Sequence, residues 1–138
     1  MKIISKKLLA LIALPLLAVS TIASAQVCET WSVIANPQGT ERGQWNFQNG
    51  SDPGVMYGAG NMRLADNSNV SFNLQVTTNQ DGSLTALRTQ SSDGNNCVYT
   101  GVKVGSSLSG TYLCSEKTPF PQPWSGVAAV CTPKASAA

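Results

Sequence analysis

From about residue 26 onward the sequence reads as one all-β domain, an antiparallel up-and-down meander of seven or eight strands, with a closed barrel preferred over a sandwich. Three observations carry this reading. Short stretches of alternating apolar residues recur along the chain, clusters of Gly, Asn, Asp, Ser and Pro separate them, and no amphipathic helix interrupts the series. The four cysteines add two expected disulfides, since an even count in an exported chain favours bridges.

The expected strands cover 27–35, 40–48, 55–64, 70–78, 84–90, 97–103, 107–114 and 126–131. Turn chemistry lies between them: Asn36-Pro37-Gln38-Gly39, Asn49-Gly50-Ser51-Asp52-Pro53-Gly54, Asp66-Asn67-Ser68-Asn69, Asp81-Gly82 and Asp93-Gly94-Asn95-Asn96. The strand at 70–78 is the clearest, because Val70, Phe72, Leu74 and Val76 alternate with Ser71, Asn73, Gln75 and Thr77. One face is buried and the other wet. A two-residue turn at Asp81-Gly82 would set Val76 opposite Leu87.

A two-residue turn at Gly105-Ser106 pairs residues whose numbers sum to 211. Cys97 then faces Cys114, Tyr99 faces Tyr112, and Gly101 faces Gly110. The cysteine pair falls at a non-hydrogen-bonded position, where Cα atoms lie roughly 4.5 Å apart, within disulfide reach. A Cys97–Cys114 bridge is therefore expected, stabilising by about 3 kcal/mol in the chain-entropy model. Cys28 and Cys131 are left to each other. Such a clasp suits a closed meander, whose first and last strands are neighbours.

Residues 1–25 read as a secretory signal peptide: Lys2, Lys6 and Lys7, an apolar run over 8–19, then Ala23-Ser24-Ala25. The run is too short to span a membrane, and nothing later is long and apolar enough to do so. Cleavage before Gln26 leaves one domain over 26–138, with 134–138 an expected disordered tail, exported to the periplasm or the medium. It also leaves six cationic against seven acidic side chains, a net charge of −1. No basic field remains to attract nucleic acid or anionic lipid.

The chain contains no histidine, which removes the usual general base and metal ligand. With no C-x-x-C either, zinc is disfavoured. The Asx-rich runs at 66–69 and 93–96 lack the ligand spacing of a calcium loop. No catalytic residue, metal or cofactor is assigned. Of the carboxylates, Asp52, Asp66, Asp81 and Asp93 sit in turns, so only Glu29, Glu41 and Glu116 could form the pair a carboxylate hydrolase needs.

The aromatic residues are the better binding candidates: Trp45, Trp124, Tyr99, Tyr112 and Phe120, of the types that stack on flat ligands or anchor interfaces. Against this stands the plainer reading that Trp31 and Trp45 fill the barrel floor. Thr118-Pro119-Phe120-Pro121-Gln122-Pro123-Trp124 carries prolines at alternate positions, which argues for an extended, polyproline-like segment rather than a central strand. Such a loop either presents Phe120 and Trp124 to a partner or, the reading preferred for apolar side chains near a small core, crosses a barrel end with its aromatics plugging the interior.

Gly43-Gln44-Trp45 resembles the G-x-W of lipocalins, although it falls on the second expected strand and no matching arginine stands on the last. The resemblance covers three residues, and implies an up-and-down barrel with a mouth for a small ligand. Taken together, the residues point to an exported, non-enzymatic binding or interaction protein whose partner is a small ligand or a secreted protein. The alternatives are an inhibitor of a secreted hydrolase acting through the Pro-rich loop 118–124, and a carboxylate-based hydrolase.

Overall fold

A computed structural model of the chain describes residues 28–49, 52–115 and 118–130. The expected signal peptide, Cys131 and the expected tail over 134–138 lie outside the described residues. Eight strands follow one another: β1 (Cys28–Ala35), β2 (Glu41–Asn49), β3 (Val55–Arg63), β4 (Asn69–Thr78), β5 (Ser83–Thr89), β6 (Cys97–Val104), β7 (Ser107–Cys114) and β8 (Thr118–Val130). Each pairs with the next, and β8 pairs antiparallel with β1 to close the barrel. Among the described residues, no helix is long and apolar enough to cross a membrane.

Period-2 alternation decides which side chains enter the barrel. On β4, Val70, Phe72, Leu74 and Val76 are buried while their neighbours face out. An eight-stranded barrel has an interior about wide enough for side chains to fill, and here rings fill it. Trp31, Trp45 and Trp124 are each almost fully buried. Trp31 stacks on Trp45 at 6.0 Å and on Trp124 at 6.5 Å, and Phe47 tilts against Trp31 at 4.7 Å. Bulk on one strand is matched by its absence on the next: Gly60 lies in register between Trp45 and Phe72. A Cβ there would come within 2.7 Å of both rings, so the aromatic layer requires glycine.

The β6–β7 hairpin has the register expected from its turn, with Cys97 opposite Cys114 and Val104 opposite Ser107. A disulfide joins Cys97 to Cys114. Cys28 is also disulfide-bonded.

Two expectations are corrected. The β4–β5 register is one residue from that expected: Val76 faces Ala86, and Leu87 faces Gln75. The connection is a three-residue loop, closed by the Asn79 N–H donating to Ser83 O, with Gly82 at φ 90°. Asp81 accepts from the Ser83 N–H at 2.9 Å and fixes this longer turn. A slip of one residue exchanges faces. Leu87 therefore points outward, and Leu84, Ala86 and Arg88 point inward.

The Pro-rich segment is not a loop. It is the first half of β8, paired with β7 through Pro123 to Thr111 and Gln122 to Tyr112, with an irregularity before Cys114. The proline period equals the strand period, so the missing donors fall along one edge. That edge faces away from β7, since the Pro123 carbonyl accepts from the Asn36 N–H just beyond the end of β1. Earlier in β8 no β1 residue stands opposite, and the prolines leave no ladder bond unmade.

Candidate functional site

The two ends of the barrel are built differently. At the end where β1 begins, Glu29 is buried and accepts from Lys103 Nζ at 2.6 Å, with the Trp31 indole N–H at 3.5 Å. This ion pair joins β1 to β6 across the barrel interior.

The opposite end, called here the mouth, is formed by the β1–β2, β3–β4 and β5–β6 connections, the end of β7 and the start of β8. A polar pocket of about 70 Å³ opens there, lined by Glu41, Leu64, Arg88, Asp93, Asn95, Tyr112 and Cys114. At its centre is Arg88, 4% exposed, with its guanidinium 4.3 Å from the Phe72 ring centroid. Burial of a charge requires partners. Arg88 Nε donates to Ser91 Oγ at 2.9 Å, and Nη2 reaches Asp93 at 3.3 Å. The connection 90–96 supplies both. It is shaped by Gly94 at φ 74°, by the Asn95 N–H donating to Asp93, and by the Ser92 N–H donating to the Ser71 carbonyl.

Below the pocket Tyr99 and Tyr112 stack at 4.9 Å with their planes 20° apart. Burial pushes both phenols above their ordinary range. For Tyr99 this is opposed by the positive charge and hydrogen bond of Arg88; for Tyr112 it is reinforced by the Glu41 carboxylate, which accepts its O–H. Both remain neutral donors at physiological pH. The mouth thus holds one guanidinium paired with Asp93, and a second carboxylate, Glu41, on the hydroxyl of Tyr112.

The expected binding residues are dispersed. Trp45 is wholly inside the core, and Trp124 is buried with its indole N–H donating to the Thr100 carbonyl at 3.1 Å. Tyr112 lines the pocket, and Tyr99 stacks against it. Phe120 is 69% exposed on the mouth rim, two residues before Gln122, the partner of Tyr112. Arg88, Asp93 and Asn95 were not legible as site residues. The one-residue register difference hid Arg88, and Asp93 read as an ordinary turn residue.

A hydrolase using Glu29 and Glu41 is not supported. Glu29 pairs with Phe47 and Glu41 with Ala35, so six residues of extended strand separate them. That is roughly 20 Å, against the roughly 5–10 Å such a pair needs. Glu116 lies outside the described residues.

Fold and site together define a closed eight-stranded antiparallel barrel with a packed interior and one polar mouth. Two solved structures are similar to it: a redesigned beta barrel, mFAP1, bound to DFHBI, and EF1p2_mFAP2b bound to DFHBI. The first has a TM-score of 0.57 and the second 0.54; each is 18% identical, covering 72% of this chain and 89% of the other. At that identity the likeness shows the barrel fold. No protein-family model matches the chain, and no curated protein matches it.

Proposed function

We propose that the protein is an exported, non-enzymatic binding module that engages a secreted protein partner at the mouth of its barrel. The observation that carries this reading is a filled barrel with Phe120 exposed on the rim of its polar mouth. A pocket of about 70 Å³ admits one small group, well below the roughly 300 Å³ at which whole-ligand sites begin. Its two carboxylates against one guanidinium favour a hydrogen-bond donor or a cationic side-chain tip. Phe120 stands between prolines on a strand already held by β7, so little chain entropy is lost when it docks. An inhibitor of a secreted hydrolase is one such module.

The test compares the wild-type protein with Phe120→Ala as bait in the exported fraction of its host. A partner retained by the wild type and lost with Phe120→Ala, at unchanged thermal stability, supports the reading. Equal retention by both refutes it.

A second reading, a small ligand inside the barrel, has in its favour the likeness to two barrels bound to DFHBI. It requires Tyr99 and Tyr112 to give way. Native mass spectrometry of gently isolated protein separates the two readings: a discrete small adduct supports the second.

A further inference from the structure

The outer face of β8, β1, β2 and β3 carries an open groove of about 600 Å³, which shares no residue with the mouth pocket. Arg42 and Arg63 line it and are register partners on adjacent strands. Gln44 and Asn61, the next pair on that face, continue the row, and Ser32 faces Gln44 from β1. Like charges directly opposite one another on a sheet are destabilising. Of the four cationic side chains among the described residues, Arg88 and Lys103 are in ion pairs, whereas Arg42 and Arg63 are in none. The two residues that carry unmatched guanidinium groups stand opposite each other on adjacent strands, and Arg42 Nε donates to the Gly39 carbonyl at 3.3 Å.

We propose that this groove binds a small hydroxylated organic anion, of the class of sugar acids and sugar phosphates. The forks of Arg42 and Arg63 clamp its carboxylate or phosphate, a geometry to which guanidinium is suited. Gln44, Asn61, Ser32 and Ser125 take its hydroxyls, and the exposed side chains of Ile34 and Val127, which make much of the lining apolar, lie against its carbon skeleton. The groove volume falls within the roughly 300–1,000 Å³ of small-molecule sites. Two arginines, among only four cationic side chains in the described residues, do not make the extended field that a long polyanion needs.

The experiment is calorimetric titration of the full-length protein at low salt with glucuronate, glucose 6-phosphate and glucose. Binding of either anion, with none of glucose, supports the proposal, and which anion binds identifies the oxyanion. Arg42→Gln and Arg63→Gln each weaken that binding at least tenfold. Because the substitutions relieve repulsion, the thermal midpoint without ligand stays equal or rises, which separates lost binding from lost fold. Absence of anion binding, equal binding of glucose, or binding indifferent to both substitutions overturns it.

Discussion

The Arg88 guanidinium lies 4.3 Å from the centre of the Phe72 ring, so the mouth holds a buried cation directly against the aromatic core. Its counter-ion, Asp93, is the more exposed member of the pair, at 21% against 4%. The two are not equivalent in what their loss leaves behind. Asp93→Asn strands a buried cation, and should cost about 3 kcal/mol, the low end for a broken buried pair because Asp93 is partly exposed. Arg88→Met leaves a carboxylate that still accepts from the Asn95 N–H and reaches water, so the loss should be smaller. Urea unfolding of the two variants checks the order; a larger loss for Arg88→Met would place the main stabilising role in the cation–π contact instead.

The observed β4–β5 register makes its own prediction. Leu87→Ser, on the outer face, should cost about 1 kcal/mol, whereas Leu84→Ala, in the core, should cost about 2–4 kcal/mol. Denaturant midpoints decide it. A large loss at Leu87 would restore the register of the shorter turn.

That hairpin also marks the limit of what was legible in the residues. The barrel could be read from alternation and turn spacing, and the β6–β7 register from one turn and two cysteines, because each signal is local. The β4–β5 slip depends on whether Asp81 caps Ser83 in a loop of three residues, an energy difference too small to read from composition. With it went Arg88. The proline-bearing half of β8 was hidden for another reason: proline is excluded from a strand only where its nitrogen must donate. Whether it must is set by where β1 ends, a tertiary fact.

The buried phenols set an alkaline limit on stability. Tyr99 and Tyr112 have folded pKa values raised chiefly by burial, above the unfolded value near 10. Below that value both states keep their protons and the contribution is complete. Above it the unfolded chain releases protons that the folded chain retains, so stability should fall by about 1.4 kcal/mol per pH unit for each tyrosine. Unfolding free energies between pH 9 and 12 check this, and Tyr99→Phe should halve the slope.

The Cys97–Cys114 bridge closes a hairpin with a sequence separation of 17. Replacing both cysteines with serine should lower stability by about 3 kcal/mol, mainly through the freedom returned to the unfolded chain. Because Arg88 pairs with Cys97 across β5–β6, the loss should also loosen the 90–96 connection. Amide exchange at Asn95 is the readout: protection unchanged there would mean that Asp93 and Ser91 hold the connection without the bridge.

A closed barrel interior leaves the mouth rim as the binding surface. A photo-crosslinking residue in place of Phe120, compared with one in place of Val104 at the far end, distinguishes the rim from the rest of the surface. Both side chains are exposed, at 69% and 72%, and only one is on the rim. A discrete crosslinked partner from position 120 and none from 104, formed in the exported fraction of the host, is the predicted result. Equal crosslinking from both positions, or none from 120 while native mass spectrometry shows a small molecule retained in the barrel, would contradict it.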